Sequence, residues 1–188
     1  MSRMVVVTLC ASLLGTTVFA QARITRQGRA TVQYSSPAVK AVAAYEYSRR
    51  NLSGAWLLIE LAVQAKERIA IARSQISLLT PDETKIPLAT QQQFLDDQDQ
   101  IRQLLQNATV TRQPLDLYFT TDLQPTIQFF SFPGRIVHDS FATNLDEVAA
   151  GDLLFKSPGR GWAPGTYRLI ISHPDARVEL PIELGGRS

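Results

Sequence analysis

Strand-like alternation of apolar and polar residues dominates this chain, and a helical period interrupts it once. Residues 55–64 carry the strongest strand pattern. Ala55, Leu57, Ile59, Leu61 and Val63 fall on one side, and Trp56, Leu58, Glu60, Ala62 and Gln64 on the other. The first side is wholly apolar and predicts a core face. The second begins with Trp56 and Leu58, so it predicts partial cover and a central place in a sheet. Residues 39–47 alternate as well, with Val39, Ala41, Ala43, Tyr45 and Tyr47 facing one way. Shorter strands are predicted at 31–34, 69–72, 75–79 and 85–88, the last two joined by a tight turn at Pro81-Asp82-Glu83.

The helical period spans about residues 90–107. Thr90 is a good N-cap, and Gln93 three residues on completes a capping box. Phe94, Leu95, Ile101, Leu104, Leu105 and Ala108 recur at helical spacing, with Asp96, Asp97, Asp99, Gln100, Gln103 and Gln106 on the other side. This helix is the obvious cover for the Trp56–Leu58 end of the long strand. Strand-like segments then resume at 115–119, 127–132, 136–142 and 152–156. A helical turn is predicted at 145–150, and a final hairpin at 167–172 and 177–184.

About ten short strands at regular spacing, with one helix, predict a mainly β fold: an antiparallel sandwich with an inserted helix. Particular motifs resemble one family. Pro164-Gly165-Thr166-Tyr167-Arg168-Leu169-Ile170-Ile171 looks like the proline-glycine-threonine-tyrosine corner of immunoglobulin-like and fibronectin type III-like domains. Gly54-Ala55-Trp56-Leu57-Leu58-Ile59-Glu60-Leu61 is similar to the opening half of bacterial secreted immunoglobulin-like (telokin-like) domains, and Gly151-Asp152-Leu153-Leu154-Phe155-Lys156-Ser157-Pro158 to a late strand of them. The long helix departs from that pattern, as does the lack of a disulfide-and-tryptophan core. The resemblance implies a fold and an extracytoplasmic setting, and it supplies no catalytic residues.

The N-terminus supports that setting. Met1-Ser2-Arg3 is a weakly basic start, and an apolar run from Met4 to Phe19 follows. Both Val18-Phe19-Ala20 and Ala20-Gln21-Ala22 fit an export peptidase, and valine favours a cut after Ala20. Residues 1–20 are therefore read as a signal peptide, 21–29 as a flexible leader, and 30–184 as one domain. The expected location is the periplasm or the medium, with no membrane span once the leader is removed. Cys10, the single cysteine, lies in the segment to be removed, so thiol chemistry is not expected in the mature chain.

Composition narrows the function. The chain has 188 residues, 45% hydrophobic and 19% charged, with a net charge of +2. That is enough for one real core, and the arginines are scattered instead of forming a nucleic-acid footprint. Candidate chemistry is sparse. His138 is followed by Asp139 and Ser140, but neighbours on a strand face opposite ways, which argues against a triad. His173 before Pro174-Asp175 reads as a solvated turn residue, and Asp96, Asp97 and Asp99 read as a solvated helix face. The turn-rich stretch at 158–165 offers Arg160 and Trp162 as a speculative binding pair, against core burial of the tryptophan. Phe129, Phe130 and Phe132 place aromatics on both faces of one segment, read as buried beneath the helix or against a neighbouring sheet, with an exposed apolar patch for a partner chain as the alternative. Asn51-Leu52-Ser53 and Asn107-Ala108-Thr109 match the N-glycosylation pattern, which matters only in a eukaryotic secretory pathway.

The expectation is an exported, non-catalytic module that binds or assembles with protein, or with glycan, and needs no cofactor or metal. Two alternatives stand beside it. One is a small hydrolase or lyase using His138 with a remote carboxylate, and the other is a purely structural envelope component.

Overall fold

The computed structural model describes residues 22–185. At its centre is β4 (Trp56–Ala65), flanked antiparallel by β3 (Val39–Ala44) and β10 (Val148–Lys156). Beyond β3 come β2 (Thr31–Ser35) and β1 (Arg23–Gln27); beyond β10 comes β8 (Leu123–Ile127). The six-stranded order is β1-β2-β3-β4-β10-β8, and β8 runs parallel to β10. A second sheet has the order β12 (Ala176–Leu184), β11 (Gly165–His173), β6 (Ile76–Leu79) and β7 (Lys85–Pro87), all antiparallel. β5 (Ile69–Ala72) and β9 (Ser140–Thr143) pair separately.

One core joins the two larger sheets. Leu57, Ile59, Leu61 and Val63 of β4 are buried with Ile76, Leu78, Leu169, Ile171, Leu180 and Ile182 of the second sheet. The mainly β, largely antiparallel architecture therefore matches the alternation in the sequence. The β6–β7 hairpin is also as expected. Thr80 N donates to Thr84 O (3.0 Å) and Glu83 N to Thr80 O (3.0 Å). Glu83 takes φ +64°, the left-handed position that closes a three-residue loop.

Thr90 caps the helical region as its sequence predicts. Its side chain accepts from Gln93 N at 3.1 Å, and Gln93 Oε1 accepts from Thr90 N at 2.8 Å. The helix is broken, however, into α2 (Gln91–Asp96) and α3 (Gln98–Ala108). At the break Asp97 leaves helical geometry (φ −109°, ψ 23°). Its carboxylate accepts from Trp56 Nε1 at 3.0 Å and pairs with Lys156 at 2.7 Å. Phe94, Ile101, Leu104 and Ala108 then pack on Trp56, Leu58 and Leu154, so the helical arm does cover that end of β4.

Several expectations are corrected. Residues 23–27, read as flexible leader, form β1, paired along its length with β2 and turned by Gly28 at φ +64°. Both faces of that strand are largely exposed, so no burial period marks it. Residues 45–47 leave the sheet: Tyr45 caps a short helix, Glu46–Arg50, held to β4 by Ser48 Oγ, 2.8 Å from both Leu58 N and Leu58 O. The stretch Leu115–Tyr118 is a 3₁₀ turn, not a strand. The strand expected at 127–132 instead ends at Ile127, and the one expected at 136–142 begins only at Ser140. The helical turn expected at 145–150 is absent, because Val148 already starts β10. The proposed signal peptide, Cys10 and Gln21 lie outside the described residues. Among those described, no helix is long and apolar enough to cross a membrane.

Candidate functional site

From Trp56 to Ala62 the outer face of β4 is apolar except at Glu60. There Glu60 stands directly opposite Asp152 of β10. Two carboxylates facing each other across strands repel. Arg112, arriving from the segment after α3, separates them. Its Nη1 donates to Asp152 Oδ1 at 3.0 Å and its Nη2 to Asp152 Oδ2 at 2.7 Å, with Glu60 3.9 Å away. Glu60 is only 9% exposed. Burial pushes its carboxyl up to about 7; Asp152 adds to the rise, while Arg112 and the Gln113 backbone oppose it. The hydrogen bonds to Asp152 hold the Arg112 guanidinium above its ordinary value. Near neutral pH, Glu60 is therefore poised between two charge states beside an ion-paired aspartate.

Beside Asp152, β8 lies unusually close to β10. A Cβ on Gly151 would sit 2.3 Å from the Ile127 carbonyl oxygen, so glycine is what admits this approach. The ladder shifts register between Ala149 and Gly151 at the same place. The result is a cleft of ≈ 670 Å³ between β8, the helical arm and the loop at 128–138. Phe94, Leu105, Ile127, Phe130, Phe132 and Ile136 make its apolar walls; Arg112 and Asp152 lie inside it, and Arg135 and His138 also line it. Past Arg112 a second hollow of ≈ 360 Å³ runs beneath Glu60, Pro114 and Asp116.

The 128–138 loop is pinned, not loose. Arg73 Nη1 donates to Phe129 O at 2.6 Å, and its Nη2 to Ala89 O. The guanidinium lies 4.6 Å over the Phe130 ring. Burial pushes its pKa down, against the pull of Asp139. Gln91 and Ser131 exchange two hydrogen bonds, of 2.6 and 3.2 Å. Phe94 packs on Phe130 and Phe132 at 5.6 and 5.0 Å, while Phe129 enters the main core. Phe129 is thus buried in the main core, while Phe130 and Phe132 are half-buried beneath the helix and line the cleft.

The speculative pair of Arg160 and Trp162 is split. Arg160 is exposed in its turn, but Trp162 is buried (6% exposed) edge-to-face on Tyr167 at 5.8 Å, so it is not displayed to a partner. His138 is exposed and lines the cleft, with its backbone N donating to Gln128 O at 3.0 Å. Among the described residues its ring has no hydrogen-bond or ion-pair partner. His173 is not the solvated residue expected: its side chain is 12% exposed and accepts from Asp175 N at 3.2 Å. The three helix aspartates diverge, since Asp97 turns inward while Asp99 stays in solvent. Among the described residues no group of three or more His, Cys, Asp or Glu converges as a metal site.

Glu60, Asp152 and Arg112 were not singled out in the sequence. A signal for the first existed: Glu60 is the lone charge in a ten-residue strand. Set against family models, curated proteins and solved structures, the chain finds no match in any of the three.

Proposed function

We propose that this chain is an exported, non-catalytic binding or assembly module on an immunoglobulin-like β-sandwich, with its protein partner docking in the cleft beside β8. Two largely antiparallel sheets over one core support the fold. So does the Tyr167 hydroxyl, which donates to Ala163 O at 3.0 Å, the bond that defines a tyrosine corner. The docking reading rests on one observation: an aromatic-walled cleft with Ile136 at 76% exposure and the unpaired Arg135 and His138 beside it. Exposed apolar side chains gathered round a pocket are the ordinary mark of a partner site.

A photo-crosslinking residue at position 136, in the exported full chain, tests this. One discrete adduct is expected, lost in Arg135→Glu and unaffected by Arg160→Glu. An adduct that ignores Arg135→Glu overturns the reading.

A second reading, a small hydrolase or lyase, is favoured by His138 and Asp152 lining one cleft, with Glu60, which titrates near neutrality, opposite Asp152 in the adjoining hollow. It requires a turnover lost in both His138→Ala and Glu60→Gln. The docking reading requires the crosslink to survive Glu60→Gln.

A further inference from the structure

A second groove shares no lining residue with the cleft. It lies between α3 and the turn that leads from α1 (Glu46–Arg50) into β4, and has a volume of ≈ 300 Å³. Gln100, Gln103 and Asn107 form one wall, spaced so that a single helix face presents all three amides. Tyr47, Asn51 and Ser53 stand opposite; Trp56 and Leu104 are buried at the base of the groove, so the half-buried Tyr47 ring is its aromatic surface.

The chemistry of this lining is distinctive. It contains no Asp, Glu, Lys, Arg or His, whereas the central cleft carries both signs of charge. Among the described residues, the side chains of Gln100, Gln103 and Asn107 and the Tyr47 hydroxyl have no hydrogen-bond partner. Asn51 is the exception on the polar side, since its Nδ2 donates to Tyr47 O at 2.7 Å. Each carboxamide offers an acceptor and two donors side by side. A vicinal diol offers the same complementary pair, one hydroxyl donating and the next accepting. The half-buried Tyr47 ring suits the C–H face of a pyranose ring. An anionic ligand would find no cation in this lining, and a purely apolar one would leave three amides unpaired.

We infer that the groove between α1 and α3 binds neutral sugar units of an oligosaccharide, with Gln103 and Asn107 as the principal hydrogen-bonding residues. This site is independent of the cleft beside β8. Asn51 and Asn107, the acceptor positions of the two glycosylation-type tripeptides, both line this groove. A eukaryotic secretory host could place glycans over it, so the protein for the test is made in bacteria.

The probes are cellohexaose, maltohexaose, mannohexaose and chitohexaose, with trigalacturonate as an anionic control. Each is titrated into isotope-labelled mature protein while the side-chain amide resonances of Gln100, Gln103 and Asn107 are followed by NMR. At least one neutral probe is expected to shift them with a Kd of roughly 1 mM or tighter. The double variant Gln103→Ala, Asn107→Ala should weaken that binding by roughly tenfold or more, since each lost hydrogen bond costs about 1 kcal/mol. Both positions are exposed on a helix that tolerates alanine, so the fold should survive. Arg135→Ala should leave sugar binding unchanged. The inference is overturned if no neutral probe shifts these amides at about 10 mM. It is equally overturned if the double variant binds as well as the parent, or if trigalacturonate binds as tightly as the neutral probes. None of these outcomes touches the crosslink at position 136.

Discussion

On its inner face β4 sets Leu57, Ile59, Leu61 and Val63 against a second sheet. On its outer face it sets Trp56, Leu58, Glu60 and Ala62 against a broken helix, one arginine and a 3₁₀ turn. The inner cover is regular and wholly apolar, so burial alone closes it. The outer cover is a set of short pieces, each fastened by its own polar anchor. Asp97 ties the helix to Trp56 and Lys156, and Arg112 ties the next segment to Asp152. Lys40 donates to Tyr118 O and lies 5.0 Å over the Phe119 ring. Pieces fastened one at a time leave gaps between them. The central cleft, the hollow under Glu60 and the amide-lined groove all lie on this outer side. The same strand therefore closes a continuous core on one face and leaves the hollows of the molecule's outer side on the other.

The sharpest test of that contrast uses one residue type on each side. Phe155 is buried in the inner core, and Phe94 is buried beneath the helical arm. Phe155→Ala should cost roughly 4–5 kcal/mol, and Phe94→Ala roughly 3, because the loose outer pieces can close over part of the cavity. Urea denaturation midpoints measure both. Equal costs would mean that the outer cover is packed as tightly as the core, and the contrast would fall.

The next largest effect comes from the charge on the outer face. Glu60 has an ordinary carboxyl value of 4.5 when unfolded and about 7 when folded. The folded state therefore holds a proton that the unfolded chain gives up between those values. Stability from this group is complete below pH 4.5 and is lost as pH rises to about 7. Allowing for partial solvent screening, the loss is roughly 2–3 kcal/mol. Glu60→Gln removes the titration, so its stability should stay nearly level over this window and exceed the parent's at pH 8. A parent and variant with the same slope would assign the pH dependence to other groups.

What the sequence reveals of this molecule follows the same division. The inner face was legible because strict alternation at Leu57–Val63, at Leu169 and Ile171, and at Val178–Ile182 has a single explanation. The capping box at Thr90 and Gln93 was legible because it is local. β1 was not, since a paired strand with both faces exposed shows no burial period. The 128–132 segment reads as a strand because of its phenylalanines, yet what holds it is Arg73, bonded to Phe129 O across 56 positions of sequence. The site shows the same limit. Glu60 stands out in its strand, but Asp152 faces it only through the β4–β10 register. Arg112 meets Asp152 across 40 positions. Nothing local could connect these three residues.

Asp97 should have a smaller effect. Asp97→Asn keeps an acceptor for Trp56 Nε1 but removes the charge that pairs with Lys156. A loss of about 1 kcal/mol is expected near neutrality. The hydrogen bond from Lys156, aided by that from Trp56, holds the Asp97 carboxyl below its ordinary 3.8. Its contribution is therefore present above that value and fades as pH falls through it. The parent and Asp97→Asn should accordingly converge in acid. A difference that persists in acid strong enough to protonate the folded carboxyl would point to lost packing at the helix break.

Arg135 should have the smallest effect on stability, and for that reason it tests the assignment of function most cleanly. Arg112 and Arg135 line the same cleft. Arg112 is bound to Asp152 through two hydrogen bonds, while Arg135 has no partner among the described residues. A cation that holds the fold together should be missed when it is removed. A cation kept for a ligand should not be missed until the ligand arrives. Arg135→Ala should therefore change stability by no more than about 0.5 kcal/mol, within the range of ordinary surface substitutions. The same substitution should weaken the crosslink formed from position 136. If Arg135→Ala instead destabilises the chain as much as Arg112→Ala, then Arg135 is one more fastener of the outer cover, and the cleft loses its best claim to be a docking site.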